Sequence, residues 1–306
     1  ITTATTGIAS RTTGTAPMAV FFDATATTNS LSVDSFHDCA YFWHFGDDGA
    51  AMWAYGTGAT VYTKNQARGA VAAHCYETAG TKTAKVTPVH VSSSGTLSYG
   101  TTTEISITVS AEARSGTTYI VSASGDFTGA PAGTQVTTGD IATMLGSGRL
   151  ASNTRFLMKG GETFSLSSSP TINVSGVTLG KWGTGKPIIT HAANTNLIQI
   201  ANGVEDVIAM DLSLDASATA NGQLLRGAGS LCSDILLLRV DVNANRGIID
   251  AGFFDKIFVI DCNGQAFTGG NGRVGIYGEH SSRVAVLGTR VSAATGIEHC
   301  LRFQGS

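Results

Sequence analysis

Two groups of polar residues recur along the chain at intervals that would stack them side by side, and a third sits in a single turn. Gln199, Arg226, Asp250, Tyr277 and Arg302 follow one another at steps of 27, 24, 27 and 25 residues, with Glu279, His280 and His299 close to the last two. An aromatic ring flanked by carboxylate, guanidinium and amide groups suits a sugar, which stacks through its ring face and hydrogen-bonds through its hydroxyls. Gln199, Arg226, Asp250, Tyr277, Glu279 and Arg302 are therefore candidate glycan-binding residues. Asp211, Arg239 and Asp261 form a second series at steps of 28 and 22, accompanied by Asp241, Asn263 and Arg290. If successive members sit one strand spacing apart, about 4.8 Å, Asp211 and Asp261 approach the roughly 5–9.5 Å separation of a hydrolytic carboxylate pair. Arg239 between them would hold both ionised, which leaves no acid catalyst. A solvated ladder of alternating charge is the plainer account of Asp211, Arg239, Asp241 and Asp261, a second binding stripe the other, and no catalytic residue is assigned. The third group is Asp47 and Asp48, in the turn Gly46-Asp47-Asp48-Gly49. It is a weak calcium candidate, set against the simpler role of Asp side chains that hydrogen-bond a turn backbone. No other cofactor is implied.

The elements that would position the two series emerge when the chain is written as repeats. Segments starting at Val207, Ile235, Ile257 and Val284 align, with steps of 28, 22 and 27 residues. Their fourth, sixth and eighth columns are mostly apolar (Met210/Leu238/Ile260/Leu287, Leu212/Val240/Cys262/Thr289, Leu214/Val242/Gly264/Val291) and their fifth, seventh and ninth mostly polar. That alternation predicts strands with the apolar columns inward. A second set of strands, at Leu197, Leu224, Ile248, Gly275 and Cys300, should place Ile198, Leu225, Ile249, Ile276 and Leu301 in one inward column. Two strands per repeat with no helix between them predict a stack in which each repeat buries its inner columns against its neighbours. Leucine-rich repeats share the period but need an Asn at a fixed offset, which is missing here. Asp140 to Leu145 is predicted as a short capping helix. The chain starts at Ile1 without an initiator Met, and Leu301 to Ser306 complete one strand of an unfinished repeat, so it is expected to be processed or partial and to continue past Ser306.

Upstream, short strands are predicted at Ala19–Phe22, Tyr41–Phe45, Val71–Tyr76, Thr83–Val91 and Glu104–Val109, separated by polar turns. Seven or so strands in about 95 residues is the density of an immunoglobulin-like sandwich. Ala16 to Ala24, Tyr41-Phe42-Trp43-His44-Phe45-Gly46-Asp47-Asp48-Gly49 and His74-Cys75-Tyr76 through Val86 together resemble the opening strand, central signature and closing segment of PKD-type domains. His44 stands where that family usually has Asp, and Asp48 lengthens the turn. The resemblance implies a spacer or adhesion module of surface and secreted proteins, with Trp43 and Tyr76 meeting in its core and His44 and His74 structural. Residues 117–306, through Arg155–Phe164, Ile172–Gly183 and Lys186–Ile189, resemble right-handed parallel β-helix proteins of the pectate-lyase and tailspike kind.

The expected fold is therefore all-β: an Ig-like PKD β-sandwich followed by a truncated right-handed parallel β-helix. The expected divisions are 1–16, a Thr-rich segment; 17–110, the sandwich; 111–154, linker and capping helix; and 155–306, the first β-helix repeats. Charged residues make up 13% of the 306, at a net charge of −3, about half the usual share. No nucleic-acid footprint follows from that balance, and no apolar run of about 18 residues is present to span a membrane as a helix. None of Cys39, Cys75, Cys232, Cys262 and Cys300 has metal-site spacing. Strand phase puts Cys39 inward with Tyr41 and Trp43, and Cys75 outward, against a bridge between them. Cys262 and Cys300 fall in columns of different strands and are expected as separate buried thiols. The two resemblances together imply an extracellular, cell-surface or virion protein, homo-oligomeric as a trimer or filament, that presents its repeats to a polysaccharide or cell-surface glycan. The alternatives are a secreted polysaccharide lyase or hydrolase with its active site mostly beyond residue 306, and a structural filament or sheath subunit.

Overall fold

The computed structural model describes residues 8–28, 34–53, 63–112, 114–191, 196–216, 223–227, 231–244, 247–265, 274–279, 281–292 and 299–304. Among these residues every regular element is a strand except one five-residue helix, Ile141–Leu145. The protein is all-β. It divides into two compact units, Ile1–Trp53 with Thr57–Ala113, and Ala54–Gly56 with Arg114–Ser306.

In the first unit, Cys39–His44 alternates strictly, with Cys39, Tyr41 and Trp43 buried and Ala40 and Phe42 exposed. It lies in a six-stranded sheet, between the edge strand Gln66–Arg68 and the long central strand Gly80–Val91, which in turn pairs with Thr103–Ser110. Met18–Asp23 and Val71–Tyr76 form a separate antiparallel pair. Met18, Val20, Phe22 and Tyr76 of this pair share one core with Tyr41, Trp43, Ile107 and Val109 of the larger sheet. The Trp43 ring lies 5.3 Å from Phe22 and donates its Nε1 hydrogen to Gly69 O at 2.8 Å. Tyr76 donates to Phe45 O at 3.0 Å, so both aromatics are buried with their polar ends satisfied, each burial contributing about 2–3 kcal/mol. Cys75 departs from the expected outward phase and is buried, as is Cys39, whose thiol is free. Strand phase fails there because the pair is covered on both faces at this end, where Met18, Ala19 and Val20 are all buried.

The second unit consists of three parallel sheets. From Arg155 onward the chain passes through them in a fixed order: Arg155–Lys159, Thr163–Leu166, Thr171–Ile172, then Thr178–Trp182, Ile188–His191, Asn196–Ile200, and so on. Later strands of the first sheet are Glu205–Met210, Cys232–Leu238, Phe254–Ile260 and Ser282–Leu287. The second sheet continues with Ser213–Ala216, Asp241–Ala244, Asn263–Gln265 and Arg290–Val291. The third continues with Gln223–Gly227, Gly247–Gly252, Val274–Glu279 and His299–Gln304. Parallel pairing already includes Thr118–Ser122 and Thr134–Thr137, upstream of residue 155. The helix buries Ile141, Met144 and Leu145 in the core; its N-cap, Asp140, accepts from Thr143 N and Ser167 N, both at 2.9 Å.

Register follows the repeats, since Val207, Ile235, Ile257 and Val284 are successive partners. Which columns face inward is different from the simple alternation. The core contains Val207 and Ala209, Ile235 and Leu237, Ile257 and Val259, then Leu212, Val240 and Cys262 on the other side of the corner. Leu238 and Ile260, expected inward, are buried outside that core, in the column continuing from Ile120 and Leu157, which pack with Trp182 and Phe127. The cause is the corner residue. Asp211, Arg239, Asp261 and Gly288 adopt φ of 57°, 53°, 51° and 55°, and this left-handed step inverts the in–out phase between the first and second sheets.

Cys262 lies fully buried in the core, and burial pushes its thiol up to about 12. Its neighbours are at the corner before the second sheet, whereas Cys300 belongs to a strand of the third sheet. Native alkylation of Cys262 should therefore be slow, because the thiolate is the reactive form. Non-reducing peptide mapping should find no Cys262–Cys300 link; such a link would overturn the register.

Candidate functional site

The first candidate series forms one continuous register column in the third sheet. Thr171 pairs with Gln199, Gln199 with Arg226, Arg226 with Asp250, Asp250 with Tyr277, and Tyr277 with Arg302. One position before it, Ile198, Leu225, Ile249, Ile276 and Leu301 form the adjoining column. Glu279 is the register partner of Gly252 and Gln304, two places along the same strand as Tyr277. Backbone pairing sets these positions about 4.8 Å apart, so five polar or aromatic residues occupy a row about 19 Å long. Gln199 is partly exposed and its Oε1 accepts from Thr171 Oγ1 at 3.5 Å. The side chains of Arg226, Asp250, Tyr277, Glu279 and Arg302 lie outside the described residues, as does His280.

The second series is brought together as an ion-paired structure. Arg239 places Nε and Nη2 2.7 and 2.9 Å from the two oxygens of Asp211, a bidentate pair across one strand spacing. Burial would push the Asp211 carboxyl up, but the Arg239 hydrogen bonds and charge outweigh it and hold it below the usual carboxylate range. Asp261, expected on a solvated ladder, is buried instead. The reason is the same phase inversion: Leu238 and Ile260 beside this corner are themselves covered, so it is not a solvent face. Asp241 receives Lys186 Nζ at 2.8 Å. Its register partner Asn263 is buried with no hydrogen-bond partner for Oδ1 among the described residues, and Arg290, next in the row, is exposed.

Sequence reasoning missed a second set of left-handed residues inside the first sheet. Asp206, Asp234, Lys256 and Arg283 have φ of 57°, 56°, 57° and 46°, and the strand register skips over them. A non-glycine residue in this region costs about 1–2 kcal/mol. Ion pairs decorate the set: Arg114 with Asp206, Lys256 with Asp234 at 2.6 Å, and Arg283 with Asp255 at 2.7 Å. Lys256 and Arg283 carry no residue-type sign of a positive φ, Asp206 and Asp234 a faint one, whereas Gly288, in the other set of corners, signals it plainly.

The calcium candidate has a different occupation. Asp47 is 3% exposed, with Oδ2 3.0 Å from His74 Nε2 and Oδ1 2.8 Å from Lys82 Nζ. Its backbone N–H donates to Asn65 Oδ1 at 2.8 Å. Both carboxylate oxygens thus face cationic or donor groups, which repel a metal ion, and Asp48 is exposed at the turn. No group of three or more His, Cys, Asp or Glu among the described residues is placed to hold a metal. The Asp47 side chain bonds His74 and Lys82 rather than the turn backbone. Compared with known protein families, curated proteins and solved structures, the chain gives no match.

Proposed function

We propose that the protein is an extracellular surface-recognition protein, of the tailspike or adhesin type, in which a PKD-type sandwich precedes a right-handed parallel β-helix that binds glycan along one face. The observation that carries this reading is the register column Gln199–Arg226–Asp250–Tyr277–Arg302. A row of this length matches an extended oligosaccharide, which gains affinity from several weak contacts in line rather than from one deep pocket. The polysaccharide lyase or hydrolase reading draws little from the second series, where Asp211 and Asp241 are each paired with a cation and Arg239 holds the Asp211 carboxyl below the usual range. Repeated parallel strands also fit a trimeric fibre or filament, the assemblies in which such a face is displayed many times.

The test is an array of bacterial capsular and O-antigen polysaccharides probed with the whole chain. Tyr277→Ala and Arg302→Ala should each weaken the best signal at least tenfold, while Glu205→Gln, in the first sheet, leaves it unchanged. Equal binding by all three variants, or no glycan binding at all, would overturn the proposal.

A further inference from the structure

The outward face of the larger sheet in the first unit forms an open groove of about 1020 Å³. Four strands build it, and register aligns their exposed side chains into two crosswise rows. Arg68, Phe42 and Thr87 are successive partners, and the Thr87 and Thr102 hydroxyls lie 2.7 Å apart at the end of that row. Gln66, His44, Lys85 and Glu104 make the second row. Four strands at about 4.8 Å spacing give a platform about 14 Å across.

The electrostatics are asymmetric. Glu104 is neutralised by Lys85 at 2.6 Å. Arg68 has no carboxylate partner among the described residues; its guanidinium sits 5.4 Å from the Phe42 ring centroid. A guanidinium on an aromatic face keeps its fork of donors free at the edge, the arrangement that grips a carboxylate with two parallel hydrogen bonds. Phe42 is 43% exposed, and beyond it the platform extends along an apolar shelf to Tyr99, which is 69% exposed.

We propose that this groove is a binding site for an anionic, uronate-containing oligosaccharide. Arg68 takes the carboxylate, Phe42 stacks against the adjoining sugar ring, and the hydroxyl, amide and imidazole groups of Thr87, Thr102, Gln66 and His44 meet the sugar hydroxyls. The charge balance argues for an acidic rather than a neutral sugar, because the charge left uncompensated among the described groove residues is positive. The open, hydroxyl-lined rows argue for a saccharide over a protein partner, whose hot spots need enclosed apolar pockets. The site lies within the first unit and does not rest on the third-sheet column.

Binding of the whole chain to alginate oligomers, a polyuronate, should be compared with dextran as a neutral control. Polyuronate binding is expected, with affinity falling as salt rises, and dextran should not compete. Arg68→Ala and Phe42→Ala should each weaken it at least tenfold with unchanged circular dichroism, while Glu205→Gln, in the other unit, leaves it unaltered. The inference is overturned by an absence of polyuronate binding or by equal binding of dextran. It is equally overturned by insensitivity to Arg68→Ala, or by a concentration-dependent dimer, abolished by Phe42→Ala, in place of sugar binding.

Discussion

Asp47→Ala is expected to destabilise the first unit by about 3–5 kcal/mol, the usual result of removing one member of a buried ion pair. His74 is 2% exposed, stacked 4.6 Å from Phe45 and edge-on to Tyr76 at 4.5 Å, so its imidazole cannot turn to water when Asp47 is lost. Lys82 loses its anchor at the same time. Burial pushes the Asp47 carboxyl up, but hydrogen bonds from His74 and Lys82, reinforced by their charge, win and hold it below the usual carboxylate range. A carboxyl depressed by folding contributes stability that is fully present above its unfolded pKa, about 3.9, and lost as pH falls through its folded value. Urea midpoints measured from pH 7 down to pH 3 should therefore fall in the acid limb for the native protein. They should fall less for Asp47→Asn, which keeps a hydrogen-bonding side chain without the charge. A loss under about 0.5 kcal/mol for Asp47→Ala, the range of ordinary surface changes, would mean that the cluster is incidental to the fold.

Phe258→Ala should have an effect of similar size, about 3–5 kcal/mol, in the second unit. Phe258 and Val259 are consecutive strand residues on opposite faces, yet both are fully buried. Val259 belongs to the central core, whereas Phe258 shares the other face with its register partners Leu236 and Ala285, both also buried. A sheet covered on both faces has no cheap side. Amide hydrogen exchange across Phe254–Ile260 reads the loss locally and separates it from unfolding of the first unit. Protection unchanged by Phe258→Ala would show the outer face to be dispensable.

Much of this architecture was legible in advance, for a physical reason. A parallel stack repeats its environment at every pass, so residues such as Ile198, Leu225, Ile249, Ile276 and Leu301 announce their register by type and spacing. The column through Gln199 and Tyr277 follows from the same period. The facing of Met210, Leu238 and Ile260 was not legible, because alternation holds only along an unbroken extended strand. Arg239 gives no side-chain sign that its backbone turns left-handed, and Asp at 211 and 261 gives only a faint one, since most Asp residues are not left-handed. The Asp47 cluster and the Arg68–Phe42 groove were hidden for another reason. Asp47 lies 27 residues from His74 and 35 from Lys82, and Phe42 lies 26 from Arg68. Strand phase does not show which of these residues meet: the antiparallel register sets Arg68 beside Phe42, and the turn holding Asp47 reaches His74 and Lys82 on two other strands.

The stacked corners have a consequence for how such a surface can change. At Asp211, Arg239, Asp261 and Gly288 the direction of the chain is set by backbone conformation, and the same φ is reached with an acid, a base and a glycine. Adjacent corners are tied by main-chain bonds, Asp211 N to Leu238 O at 3.0 Å, Arg239 N to Ile260 O and Asp261 N to Leu287 O, both at 2.9 Å. Shape is thus carried by the main chain and composition is left free. A combinatorial library randomised at 199, 226, 250, 277 and 302 would vary the chemistry of five aligned addresses while keeping their pitch constant. A single-residue deletion at one corner would do the opposite, exchanging inside for outside along every strand position up to the next corner.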